Sequence, residues 1–136
     1  MTQEDKELLL KDLSARLSYG PIVSVTDGTI KYDAYIESIS YKNIQVSPVS
    51  DSNFTAYTFY KISEIKPYLR PMSSMTEEEW NDYKSTWKLI EHDLEDIYEP
   101  CIESYDWLNA HHFDYRGLIE KGLAIDVTED NNPYKE

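Results

Sequence analysis

The fold is decided by a stretch in the first half of the chain, residues 22–37, which reads IVSVTDGTIKYDAYIE. Asp27-Gly28 is a strong signal for a two-residue hairpin turn, and apolar residues alternate with polar ones beyond it. Further short segments of the same kind follow at residues 44–46 and 54–60. This pattern predicts a small curled antiparallel sheet, and an SH3-like β-barrel is its natural closure because a barrel removes exposed edges.

A helix is predicted to precede this sheet, over residues 3–17. Thr2 and Asp5 suit a capping box at its start, and Gly20-Pro21 is typical of its end. The expected buried face carries leucines at helical spacing, whereas Asp12 is expected to face elsewhere. The leucines of this face are Leu10, Leu13 and Leu17, with Leu9 beside them.

The charge is divided unevenly along the chain, whose formal net charge is −13. Residues 1–75 contain 9 acidic and 8 basic side chains, whereas residues 76–136 contain 17 acidic and 5 basic ones. A polyanionic second half is unsuited to binding a phosphate backbone, which depends on Lys and Arg. Its acidity either keeps the protein in solution or serves to dock on a basic partner, even by imitating nucleic acid. Both readings stay open.

The second half is predicted to open with a long helix from Thr76 to about Tyr98. Thr76 and Glu79 form a capping box, and large apolar residues then recur with heptad spacing. This seam must be covered, either by helices of the same chain or by a second copy in a homodimer. It consists of Trp80, Tyr83, Trp87, Ile90, Leu94 and Ile97.

The expected fold class is α+β: an N-terminal helix, a small SH3-like antiparallel β-barrel and an acidic C-terminal helical region. Pro67 and Pro71 mark a connector that divides the chain into residues 1–70 and residues 71–136, packed together as one globular unit. Beyond Pro100 we expect a shorter helix through His111 or His112 and a further turn capped by Asp114. Residues 123–125 should then form an edge strand or fill the core.

Residues 105–119, YDWLNAHHFDYRGLI, carry a resemblance to known sequences. Together with LLLKDL at residues 8–13 and KPYLRPMSSMTEE at residues 66–78, this segment resembles a group of small uncharacterised proteins of prophages and mobile elements of gut anaerobic bacteria. The resemblance covers about half of the chain. It implies an accessory role in a mobile element and brings no known activity.

The first candidate for chemistry is His111-His112 with Asp114, because imidazole and carboxylate groups can bind zinc or relay a proton. Adjacent histidines on a helix point about 100° apart, however, and so do not grip one ion together. The chain has no metal-binding, phosphate-binding or nucleophile motif, and it has a single cysteine, Cys101. We therefore expect no catalytic residue, no metal and no cofactor, and we predict that the protein is not an enzyme.

The function that the sequence favours is a protein-binding module that docks on a basic protein partner. Its predicted surface combines the acidic helix face with part of the segment around Asp114 and comprises Glu78, Asp82, Glu91, Glu95, Asp114, Tyr115 and Arg116. Trp, Tyr and Arg are frequent at binding hot spots. The alternative for this last group is internal packing, with Arg116 paired to Asp106 or Asp114.

A nucleic-acid-binding barrel is the alternative function, because bases stack on aromatic rings. The candidate rings are Tyr32, Tyr35, Tyr41, Tyr57, Phe59 and Tyr60. The neutral first half argues against nucleic acid as the partner. The chain has no apolar run of about 18 residues and no signal peptide at its acidic start, so we expect no membrane contact and a cytoplasmic location.

Overall fold

The computed structural model describes residues 1–28, 30–40, 42–49, 58–91 and 95–134. These residues form an α+β fold that begins with a helix, as predicted. The helices are α1 (Gln3–Arg16), α2 (Glu77–Lys84) and α3 (Ile102–Ala110). The strands are β1 (Ile22–Asp27), β2 (Ile30–Ile39), β3 (Ile44–Pro48), β4 (Thr58–Tyr60), β5 (Ile65–Pro71), β6 (Lys88–Glu91), β7 (Ile97–Glu99), β8 (Phe113–Asp114) and β9 (Ile125–Asp126).

The main sheet has the strand order β4-β3-β2-β1-β5, with antiparallel neighbours throughout. The predicted hairpin is confirmed, since β1 pairs with β2 and Asp27 lies opposite Ile30. Strands β8 and β9 from the C-terminal part pair in parallel with β5. Within the described residues, β4 pairs with β3 and does not pair with β5. Among the described residues the sheet is therefore open, and the predicted SH3-like closure is not seen.

Helix α1 and the main sheet enclose the larger hydrophobic core. C-terminal residues complete this core: Leu118, Leu123 and Ala124 are buried in it, and Ile125 begins β9. Residues 123–125 thus act both as core filling and as the start of a strand. The predicted division at residue 70 falls inside β5, and the larger core contains residues from both sides of it.

The predicted first helix and its capping box are confirmed, but its buried face is different. The buried residues of α1 are Leu9, Asp12, Leu13 and Arg16, whereas Leu10 and Leu17 are only partly buried. The expectation that Asp12 faces elsewhere is wrong. Its carboxylate is fully buried because it accepts hydrogen bonds from the guanidinium of Arg16 at 2.8 and 3.1 Å.

The long helix predicted to reach Tyr98 is wrong, because α2 ends at Lys84. The hydroxyls of Ser85 and Thr86 donate to the carbonyl oxygens of Asp82 and Tyr83, a local hydrogen-bonding pattern that competes with helix. The chain then forms the two-stranded β6–β7 hairpin.

The predicted heptad seam therefore does not exist as one helical strip. Trp80 and Tyr83 lie on α2, Trp87 lies in the turn after it, and Ile90 and Ile97 lie on β6 and β7. Leu94 lies outside the described residues.

A smaller hydrophobic cluster holds α2 and α3 together. Its buried members are Tyr83, Leu108 and Phe113. The ring of Tyr83 lies 5.7 Å from that of Trp87 and 5.6 Å from that of Trp107. Of the aromatic residues of the predicted seam, Tyr83 is thus buried and Trp87 partly buried within the chain, whereas Trp80 stays exposed.

An ion pair joins α2 to β5. The guanidinium of Arg70 donates to both carboxylate oxygens of Glu79, at 2.6 and 2.7 Å, and lies over the ring of Phe113. These hydrogen bonds lower the pKa of Glu79 to about 2. The contact anchors the start of α2 to the main sheet.

Candidate protein-binding surface

The four acidic residues predicted to bind a partner are all exposed. Glu78 and Asp82 lie on α2, Glu91 ends β6, and Glu95 follows in the connection to β7. They do not share one helix face, because the predicted helix ends early. They belong instead to one acidic segment, residues 77–106, which contains 11 acidic and two basic side chains.

The same segment exposes large apolar side chains, three of which belong to the predicted seam. Among the described residues they are Trp80, Ile90, Ile97, Tyr98, Ile102 and Tyr105. Ile102 is 78% exposed and Ile90 is 54% exposed. We call these residues, together with the exposed acidic residues of the segment, the acidic apolar surface. Exposed apolar groups rimmed by polar ones mark interaction sites in soluble proteins.

The β6–β7 hairpin presents both of its faces to solvent, apart from the partly buried Leu89. A two-stranded hairpin is marginally stable alone, so its attachment to α3 matters. The hydroxyl of Thr86 and the buried hydroxyl of Ser104 are hydrogen-bonded at 2.8 Å, and the backbone N–H of Cys101 donates to the Ser104 hydroxyl at 3.0 Å. These polar contacts hold the hairpin in place without burying its apolar side chains.

Asp114 does not belong to the surface, contrary to the prediction. It is buried, and its carboxylate oxygens accept hydrogen bonds from the backbone N–H groups of Leu118 and Ile119, both at 3.0 Å. This is the capping role that the sequence also predicted for it. Residues 118–122 form hydrogen-bonded turns, and the described residues after Asp114 include no regular helix.

Tyr115 and Arg116 are half-buried and attached to the core. The Arg116 guanidinium donates to Asp12 at 2.8 Å and lies 4.7 Å from the centre of the Tyr115 ring. The predicted internal ion pair of Arg116 is therefore present, but its partner is Asp12 and neither Asp106 nor Asp114. The sequence could have indicated this site only through the spacing of Asp12 and Arg16, which suits an ion pair on a helix.

A buried charge cluster therefore joins the first helix to the C-terminal part. Asp12 binds both Arg16 and Arg116, and Arg16 also donates to the carbonyl oxygen of Phe113 at 2.6 Å. One carboxylate thus faces two guanidinium groups.

A groove lies between α1 and α3, beside this cluster, and has a volume of about 340 Å³. Ile102, Tyr105 and Tyr115 form most of its apolar wall, and Asn109 and Arg116 contribute polar groups. Asp106 and Ala15 complete the lining. The groove adjoins the acidic apolar surface, since Ile102, Tyr105 and Asp106 belong to both.

The two histidines point to different environments. His111 is exposed and stacks on Trp107, whereas the ring of His112 stacks on that of Tyr134 at 3.6 Å. Burial lowers the pKa of His112 to about 4. Within the described residues, no group of three or more His, Cys, Asp or Glu side chains is placed to hold a metal ion.

The aromatic rings considered for nucleic acid do not share one face of the sheet. Tyr32 and Tyr60 are joined by a hydrogen bond between their hydroxyls and pack against the core. Tyr35 and Phe59 are exposed and alternate with these core residues along β2 and β4, so they point to the opposite face. Tyr41 and Tyr57 lie outside the described residues.

No protein-family model matches this chain, and the comparisons with curated proteins and with solved structures give no match either. The resemblance to prophage and mobile-element proteins therefore stays a prediction. Over the described parts of the chain, none of the helices has the length and apolar character that a membrane span requires.

Proposed function

We propose that this protein is a binding module that docks on a basic protein partner through its acidic apolar surface. The observation that carries the proposal is the combination, in residues 77–106, of a net charge of −9 with large exposed apolar side chains. Acidic residues alone would serve solubility. Exposed apolar side chains work against solubility, so their presence among the carboxylates favours a recognition surface.

Each of the two components has a distinct role in such docking. Carboxylates attract a basic partner over a distance and orient it, which raises the rate of association. Apolar and aromatic side chains then supply most of the binding free energy when they become buried. Trp and Tyr are among the residue types that dominate such interfaces, and the surface exposes Trp80, Tyr98 and Tyr105.

An accessory role in a prophage or mobile element fits this activity, and it rests on the resemblance of residues 105–119. The SH3-like character of the sheet and a cytoplasmic location likewise remain proposals. A nucleic-acid-binding sheet is less well supported, because its aromatic side chains are divided between two faces.

The test compares wild type with the variant Asp82→Lys/Glu91→Lys/Glu95→Lys in affinity capture from host lysate, read by quantitative mass spectrometry. The matched control, Glu7→Lys/Asp27→Lys/Glu37→Lys, reverses three exposed acidic residues of the first half. We expect a basic protein to be captured by wild type and by the control but lost with the first variant. An identical set of bound proteins for all three would contradict the proposal.

A further inference from the structure

We infer that the groove between α1 and α3 receives one apolar side chain of the partner, from a segment in which basic residues flank it. The inference rests on the proposed function and makes it more specific. It identifies the part of the acidic apolar surface at which a particular partner sequence is selected.

The wall of the groove is suited to an apolar side chain. Ile102 is the most exposed large apolar residue among those described, and Tyr105 is also exposed beside it. The ring of Tyr105 lies 5.2 Å from that of Tyr115, and the guanidinium of Arg116 lies 4.7 Å from the centre of the Tyr115 ring. A volume of about 340 Å³ lies at the small end of ligand sites, which suits one side chain better than a large cofactor.

The polar groups of the groove fit the backbone of an inserted residue. Asn109 is only 4% exposed, and its Oδ1 accepts a hydrogen bond from the Tyr115 hydroxyl at 2.9 Å. Its Nδ2 donates to none of the described residues. A donor held in this way complements a peptide carbonyl oxygen, because a nearly buried amide gains from an acceptor.

The charges around the groove select the neighbours of the inserted residue. Asp106 lies in the lining, and Glu99 and Glu103 lie nearby in the chain, exposed on β7 and α3. The hydrogen bond from the Cys101 thiol lowers the pKa of Glu103 and so favours its ionised form. Around the groove, the four carboxylates of Asp12, Glu99, Glu103 and Asp106 outnumber three cations: Arg16 and Arg116 share Asp12, and Lys88 pairs with Glu103 at 3.6 Å. An incoming segment therefore meets net negative charge, which favours flanking Lys or Arg and disfavours Asp or Glu.

The experiment uses the full chain and three short peptides with blocked ends. The first has a central leucine between lysines, the second has alanine in place of the leucine, and the third has the leucine between glutamates. Affinities are measured by calorimetry, and the side-chain amide of Asn109 is followed by NMR. The protein variant is Ile102→Ser, and its matched control is Ile30→Ser, which alters an isoleucine that is exposed on β2 and does not line the groove.

We expect the lysine–leucine peptide to bind about tenfold more tightly than the alanine peptide and to shift the Asn109 amide signal. Ile102→Ser should abolish this preference, and Ile30→Ser should preserve it. Equal affinities of the two lysine peptides for wild type would overturn the inference. It would also be overturned if the glutamate–leucine peptide bound wild type as tightly as the lysine–leucine peptide. In the first case, salt-sensitive binding of both lysine peptides would still support the proposed function. Failure of every lysine peptide to bind would overturn both.

Discussion

The first half of the chain and the acidic segment use their apolar residues in opposite ways. Helix α1 and strands β1, β2, β3 and β5 bury their aliphatic side chains in one continuous core. In the described part of residues 77–106, Tyr83 is the single buried apolar residue, while six large apolar side chains are exposed. The sheet and its helix therefore supply the buried core that stabilises the fold, whereas the acidic segment exposes the apolar side chains that a partner would bury under the proposed function.

The acidic segment is attached through Tyr83 and Trp87, which belong to the smaller hydrophobic cluster, and otherwise through polar contacts. Arg70 pairs with Glu79 at its start, and Thr86, Cys101 and Ser104 are hydrogen-bonded to one another further along. A segment held in this way can expose apolar side chains without losing its fold.

The largest effect is expected at the charge cluster that joins the two regions. Replacing Asp12 by Ala leaves the guanidinium groups of Arg16 and Arg116 without their carboxylate, and breaking a buried ion pair in this way costs about 3–5 kcal/mol. Urea denaturation followed by circular dichroism measures the loss. Glu120→Ala, at an exposed acidic residue, is the control. A loss below about 1 kcal/mol for Asp12→Ala would mean that the cluster does not stabilise the fold.

Aliphatic-to-alanine changes test directly whether the buried side chains of the first half stabilise the fold and the exposed ones of the acidic segment do not. Leu13→Ala removes a fully buried side chain and should lower the free energy of unfolding by about 2–5 kcal/mol. Ile90→Ala, at an exposed site on β6, should stay within about 0.5 kcal/mol. The same denaturation assay measures both variants. Similar losses in the two would show that the acidic segment has a core after all.

His112 makes the stability of the fold depend on pH. Burial lowers its pKa in the folded protein from 6.5 to about 4, so the unfolded chain binds the proton more tightly. Stability should be complete above pH 6.5 and should fall as the pH approaches 4, with a slope of at most about 1.4 kcal/mol per pH unit from this group.

Replacing His112 by Asn should remove this slope. Asn is chosen because it tolerates the left-handed backbone conformation of residue 112. The measurement is urea denaturation at several pH values, and the exposed His111→Asn is the control, which should retain the wild-type slope. Equal slopes for wild type and His112→Asn would contradict the assignment.

Sequence patterns were informative where the signal is local. The capping box at Thr2, the hairpin after Asp27 and the helix before His111 all follow from neighbouring residues, and all are present. The end of α2 was missed because the heptad spacing continues past Ser85 and Thr86, although their hydroxyls favour a turn. The role of Asp12 was missed because its partner Arg116 is 104 residues away, a distance that no local pattern spans.

The smallest effect on stability is expected for the charge reversal within the acidic segment. Asp82 lies in the last turn of α2, where a negative charge opposes the helix dipole. Glu91 and Glu95 belong to a segment of 11 acidic side chains, whose like charges repel one another. The variant Asp82→Lys/Glu91→Lys/Glu95→Lys should therefore be more stable than wild type by about 0.3–1 kcal/mol at low salt. The gain should shrink at 1 M salt, where charges are screened beyond about 3 Å. Thermal denaturation at the two salt concentrations measures it. A gain in stability together with lost capture of the partner would show that these carboxylates are kept for binding at the expense of stability, whereas a salt-independent loss of stability would assign them a structural role.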